Sequence, residues 1–192
     1  MAITRLGPNN STNISGINLT SQVTGTLPTG NGGTGATSFS PGKVLQVVSS
    51  SITYQKTVSG STSQTDVESA SGTTWETAIT PSATSSKILI MSNLHSVGYH
   101  NGGSQAKCQT RVFGKIGSGS YSELKFAETG GYDYGGSGMA FHSMINHNYM
   151  WSPSTTSECK VKFTFHPADT SQTSSISYDG KPTNVLLYEI GA

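Results

Sequence analysis

The sequence predicts an all-β chain: an antiparallel β-sandwich or jelly-roll knob behind an extended Gly/Ser/Thr-rich N-terminal tether. Three observations lead there. Charged residues make up only 11% of the 192 residues, against roughly a quarter in ordinary globular proteins. Ser, Thr and Gly take their place, a composition that suits strands and turns and serves helices poorly. Apolar residues come in short runs or alternate with polar ones, turn residues recur every 8–12 residues or so, and no stretch reads convincingly as a helix.

Residues 1–42 hold few large apolar side chains: Ile3, Leu6, Ile14, Ile17, Leu19, Val23, Leu27 and Phe39, besides the initiator Met1. One copy of such a segment cannot bury enough surface to offset its ordering entropy. Order there requires other copies of the chain or a partner surface. From residue 43 the pattern changes. Residues 44–48 and 52–54 read as strand material, and residues 59–74 as a polar, exposed loop. Residues 75–79 alternate partly before a turn over 81–86. Residues 87–94 contain the strongest apolar run and read as a central strand. A Gly-rich loop follows at Asn101-Gly102-Gly103, then a strand over 108–116 and a hairpin turn at Ser118-Gly119 leading into 121–126.

Residues 130–136 (Gly-Gly-Tyr-Asp-Tyr-Gly-Gly) read as a long flexible loop, and 141–151 as strand. Residues 159–166 alternate cleanly, which predicts one buried and one wet face. Residues 176–178 lead into an Asp179-Gly180 turn, and 185–190 close the chain. The expected total is eight or nine strands. The two cysteines, Cys108 and Cys159, allow one disulfide, which a chain of this length does not need; Cys159 is in phase with Val161, Phe163 and Phe165, so a buried free thiol is the favoured expectation.

Several function classes find no support. The net charge of +1 gives no electrostatic case for nucleic acid or an anionic membrane. No apolar run is long enough to cross a bilayer, and residues 1–8 contain no apolar core of a secretory signal. Gly30-Asn31-Gly32-Gly33-Thr34-Gly35 matches G-x-G-x-x-G, but no buried strand precedes it, and Pro41-Gly42 would break the helix that must follow. The five histidines include two pairs five apart, His95/His100 and His142/His147. That spacing puts the members of each pair on opposite faces of a strand, and no metal-ligand motif occurs. No nucleophile elbow occurs, and the ten acidic residues fall mostly in loops or beside turns. No cofactor, metal or catalytic activity is expected. Tyr99, His100 and Asn101, with Tyr132, Asp133 and Tyr134, instead sit in or beside Gly-rich stretches. Tyrosines among Gly, Ser and Asn on exposed loops make an adaptable binding surface, and their rings stack on sugars.

Gly25-Thr26-Leu27-Pro28, followed by Asn31-Gly32-Gly33-Thr34-Gly35-Ala36-Thr37 and then Pro41-Gly42-Lys43-Val44-Leu45-Gln46, closely resembles a motif that precedes the folded domain of tailed-bacteriophage fibre proteins. A looser likeness, at Ile79-Thr80-Pro81 and over 85–90, is to a strand of small virion-associated β-domains. The resemblance implies a short homotrimeric fibre, made in the host cytoplasm and placed on the virion surface. Residues 1–24 would be a tether docking on another virion protein through Ile3, Leu6, Ile14, Ile17 and Leu19. Residues 25–42 would be a neck in which Leu27, Gly32, Gly33, Gly35 and Phe39 meet their symmetry mates, glycine allowing close backbone approach. Residues 43–192 would be the knob, meeting a host-surface glycan or protein as a tail fibre does. Two alternatives stand beside this: a capsid-attached head fibre or decoration protein with no receptor role, and a carbohydrate-active enzyme knob using a carboxylate pair with Asp133 or Glu128.

Overall fold

A computed structural model of the chain describes residues 43–100, 105–132 and 138–191. The expected docking residues (Ile3, Leu6, Ile14, Ile17 and Leu19), the neck residues (Leu27, Gly32, Gly33, Gly35 and Phe39), Asn101, Asp133 and Tyr134 lie outside the described residues.

The described residues form strands β1 (Val44–Ile52), β2 (Lys56–Ser59), β3 (Thr65–Asp66), β4 (Glu68–Ala70), β5 (Thr73–Thr74), β6 (Glu76–Ile79) and β7 (Lys87–His100). There follow β8 (Gln105–Ile116), β9 (Ser122–Tyr132), β10 (Met139–Trp151), β11 (Cys159–Pro167), β12 (Gln172–Ile176) and β13 (Thr183–Ile190), with one 3₁₀ turn at Tyr178–Gly180. Two antiparallel sheets pack face to face. The first, sheet A, runs β1-β13-β7-β12-β2 with β10 also on β7; the second, sheet B, runs β3-β11-β8-β9 with β6 also on β11. Strands β4 and β5 form a separate hairpin. From β6 onward the chain crosses repeatedly between the sheets, as in a jelly roll. The predicted all-β antiparallel sandwich is the observed architecture.

Strand β7 organises sheet A. One of its edges is shared, by β13 along residues 87–93 and by β12 along 96–100, while β10 pairs with the other edge from Ile88 to His100. Its even-numbered side chains from Ile88 to Leu94 point into the core, where Ile88, Ile90 and Leu94 meet Val185 and Leu187 of β13 and Ile176 of β12. Sheet B contributes Cys108, Val112, Val161, Phe163 and Phe165. Trp75 stacks on Phe163 with ring centroids 5.3 Å apart, and its Nε1–H donates to Ser50 Oγ at 2.8 Å, which ties the ring to β1. Cys108 and Cys159 are buried free thiols, and burial pushes them up to about 12 and about 11. They stand at opposite ends of the β8–β11 ladder, roughly 27 Å apart at strand rise, so no disulfide links them.

Four expectations need correction. There are thirteen strands among the described residues, because long polar stretches also pair. Residues 59–74 are not simply an exposed loop: Val67 is buried, its N–H bonds to the Phe163 carbonyl at 2.9 Å, and the buried Glu68 carboxylate meets Lys56 at 2.7 Å. Gly130, Gly131 and Tyr132 belong to β9 rather than to a loop, paired with Lys107, Ala106 and Gln105. A Cβ on Gly130 would lie 2.7 Å from the Ala106 carbonyl oxygen, so the glycine is required by close strand approach. The outer face of β11 is not wet along its whole length. Thr164 and His166 are buried there, Thr164 bonding to Gln64 and His166 Nε2 accepting from Arg111 at 2.8 Å.

Two buried ionisable groups, His147 and Glu189, make large contributions to the pH response. Burial, with a smaller contribution from Lys125, pushes the His147 imidazole down to about 4. Unfolded histidine titrates near 6.5. Between those values the unfolded chain binds more protons, so stability is lost as pH falls from about 6.5 to about 4. Burial alone would raise the Glu189 carboxyl, but Ser82 donates to it from both N–H (2.7 Å) and Oγ (2.6 Å), and Gln46 Nε2 donates at 2.7 Å. Together these bonds hold it at about 2, so its contribution is complete above about 4.5 and is lost as pH falls towards 2.

Stability against urea should therefore fall steadily from pH 7 to pH 4, and His147→Leu should reduce that slope. An unchanged slope would contradict the assignment. Glu189→Gln should cost about 1–3 kcal/mol at pH 7. On β7, a Cβ on Gly98 would lie 2.0 Å from the Phe141 ring. Gly98→Val should thus destabilise by about 1–3 kcal/mol through overpacking, as read by the urea midpoint.

Candidate functional site

In antiparallel sheets directly paired residues share a face, so the register of sheet A can be read as rows across its outer surface. Val47, Tyr188, Leu89 and Met150 form one row. Ser49, Leu186, Met91 and Asn148 form the next, followed by Ser51, Asn184, Asn93 and Asn146. His95 and Met144 come next as a pair. Thr57, Ser175, Val97 and His142 follow, and then Ser59, Thr173, Tyr99 and Ala140. The face grades from apolar, through amides, to hydroxyls and aromatics.

None of these positions is Asp, Glu, Lys or Arg; among the outward strand positions of sheet A in the described residues, only Lys87, paired with Ile190 at one margin, carries a charge. Sheet B is the opposite. Its outer face carries Lys107–Glu128 (2.8 Å), Arg111–Glu123 (3.1 Å), Lys160–Glu76 (3.4 Å) and Lys162–Asp66 (2.7 Å). Arg111 also lies over Phe126, and Lys115 and Lys162 over Tyr121.

The hydroxyl end of the sheet A face holds a groove of about 310 Å³. Its floor is built by strand alternation. Thr57 and Ser175 hydroxyls hydrogen-bond at 2.8 Å, as do Ser59 and Thr173 just beyond. Val97, Tyr99, Ala140 and His142 form the side on β7 and β10, and Gln55 and Tyr178 complete the lining. Tyr99 is 44% exposed and Tyr178 38% exposed, large values for aromatic residues. His142 meets Tyr178 edge-on at 5.5 Å and lies 6.2 Å from His95.

The position of Tyr178 is costly to build. Ser177 and Asp179, on either side of it, are in the left-handed region at φ 52° and 57°, where non-glycine residues are strained by roughly 1–2 kcal/mol each. Gln55 Oε1 holds the turn by accepting the Asp179 N–H at 2.9 Å, and the Ser177 N–H donates to the His95 carbonyl at 2.9 Å. Burial, then Lys181, then His142 hold the His95 imidazole below its ordinary value. Its buried Nδ1 has no hydrogen-bond partner, which also disfavours a proton there. The groove lining contains no Asp, Glu, Lys or Arg, and it sets hydroxyl, amide and imidazole groups that donate or accept beside exposed aromatic residues. That chemistry fits a neutral, hydroxyl-rich ligand with an apolar face, such as a sugar ring.

Of the expected surface-binding residues, Tyr99 lines the groove. It stands on strand β7 and not on a loop. His100 is also in β7, and alternation turns it away from Tyr99; its Nδ1–H donates to the Gln105 carbonyl at 2.6 Å. Tyr132 ends β9. The sequence reading missed Gln55, Thr57, Thr173, Ser175, His142 and Tyr178 as groove residues. The one signal for them is period-two spacing of hydroxyls, at 57/59 and 173/175, in two otherwise featureless polar stretches. His95 and His142 approach each other across adjacent strands, but no group of three or more His, Cys, Asp or Glu that could hold a metal occurs among the described residues.

No protein-family model matches the chain, and no curated protein matches it. Among solved structures, it is similar to the infectious bursal disease virus Gt strain structure, at TM-score 0.38 and 11% identity over 87% of this chain and 43% of that one. It is similar to the Gx strain structure at TM-score 0.39 and 10% identity, over 87% and 42%. For the VP2 subviral particle of the same virus the values are 0.36 and 11%, over 78% and 39%. The chain spans less than half the length of each of these proteins.

Proposed function

We propose that the chain is a non-enzymatic structural appendage of a bacteriophage virion, a short homotrimeric fibre. Residues 1–24 dock on another virion protein, residues 25–42 form the neck, and the β-sandwich from residue 43 attaches to an uncharged glycan on the host surface. The neck motif around Asn31-Gly32-Gly33-Thr34-Gly35 supports the fibre part of this reading. The observation that carries the attachment role is the groove on β2, β12, β7 and β10: two exposed tyrosines beside paired hydroxyls, with no Asp, Glu, Lys or Arg in the lining. It lies at the far end of β7 from residue 44, where the chain passes from the neck into β1. Thirteen residue steps along β7 separate the two ends, about 43 Å at strand rise. A groove so placed stands away from the tethered end.

The test is binding of the full-length protein to an array of neutral oligosaccharides, followed by titration calorimetry on the best ligand. Tyr99→Ala and Tyr178→Ala should each weaken binding about tenfold, the size of one lost ring contact, while Phe126→Ala on sheet B should leave it unchanged. Failure of every neutral saccharide to bind, or wild-type affinity in both tyrosine variants, would remove the receptor role and favour the capsid-decoration alternative.

A further inference from the structure

We propose that the apolar end of the same sheet A face is the surface through which the folded domains of different copies pack on one another. This rests on the homotrimer reading and extends it, because it places an assembly contact in the sandwich as well as in the neck. The surface centres on the row Val47, Tyr188, Leu89 and Met150 and continues through Leu186 and Met91. Val47 is 50%, Met150 44% and Met91 39% exposed. These large apolar side chains are clustered across four adjacent strands, which is how interaction surfaces differ from scattered exposed residues.

Two observations identify the occupant as a second copy of this chain. The first is charge. A face that packs on its own copies brings like residues close together, and any charge on it would meet its own sign or be buried without a partner. This face carries no charge inside its margin at Lys87, whereas the outer face of sheet B is covered with lysines and acids. The second is connectivity. Residue 42, the last of the proposed neck, is two residue steps from Val44 in sequence, and two steps span at most about 7 Å. Copies joined along the neck up to residue 42, as the homotrimer reading has it, bring the starts of their β1 strands near one another. The sheet surface beside β1 at that end is the Val47–Met150 row.

The amide row of Asn93, Asn146 and Asn184 separates this surface from the groove. One uncharged face thus has two uses: self-packing at the tethered end and ligand binding at the far end.

The experiment is the mass of the full-length protein by light scattering over a concentration series. It is run for wild type, Val47→Lys, Met91→Lys and the milder Met91→Ser, with Phe126→Lys on sheet B as the control. Circular dichroism checks folding, which the exposure of these positions should preserve. A charge that must be buried in the contact should raise the concentration for half-assembly about a hundredfold or more, with a smaller rise for Met91→Ser and none for Phe126→Lys. A trimeric wild type whose face variants assemble as it does would overturn this inference alone and leave assembly to the neck. A monomeric wild type would overturn the homotrimer reading and this inference together.

Discussion

The alternation of β7 is the constraint on which the rest of the molecule depends. Fourteen residues pair with three other strands, and a slip of one residue in any pairing would turn Ile88, Ile90 and Leu94 outward and Leu89, Met91 and His95 into the core. Such a slip is strongly resisted wherever one face is buried. Once β7 is fixed, its partners are fixed too: Val185 and Leu187 must face inward with it, and Leu186 and Tyr188 must face outward. Gly98 keeps this arrangement intact near the end of the strand, because only a hydrogen in place of a Cβ leaves room for Phe141. The groove and the apolar rows are both consequences of this one register.

The division of charge between the sheets turns that register into a functional asymmetry. Ion pairs such as Lys162–Asp66 lie on sheet B, where they are partly solvated and contribute little to stability. Their effect is to keep that face wet and to discourage contacts through it. Sheet A has no such barrier, and its buried carboxylate, Glu189, faces inward under full hydrogen bonding. A protein whose only role was to fold would gain solubility from charges on both faces. Leaving one face uncharged makes sense if that face is covered or used.

Much of the fold was legible in the sequence, and the site was only partly so. The apolar run at 87–94 marks the centre of sheet A, and the alternation at 159–166 marks β11, because local period-two patterning reports directly on a strand. The second half of β7 was not readable: His95, Ser96, Gly98 and His100 look like loop residues, and the strand continues only because β10 and β12 pair with it. Gly130 and Gly131 misled for the related reason that close packing against β8 and β10 calls for glycine as much as a flexible loop does. Tyr99 stands out in the sequence as a candidate surface-binding residue through its neighbours, but the residues beside it in the groove, Thr57, His142, Ser175 and Tyr178, come from three other stretches of the chain. The charge-free face is spread over six strands. No window of sequence shows it, and it emerges only when the register aligns Val47 with Tyr188, Leu89 and Met150.

The central claim is that one uncharged face is covered by copies of the chain at one end and open at the other. Its three exposed methionines provide a direct reading, because thioether oxidation by hydrogen peroxide follows solvent access. The measurement is the oxidation rate of Met91, Met144 and Met150 in the intact full-length protein, by peptide mass spectrometry, with added free methionine as the reference. The account predicts that Met91 and Met150 oxidise at least about tenfold more slowly than Met144, despite similar exposure in the single chain. Equal rates at all three, near that of free methionine, would show the apolar rows open to solvent and would contradict it.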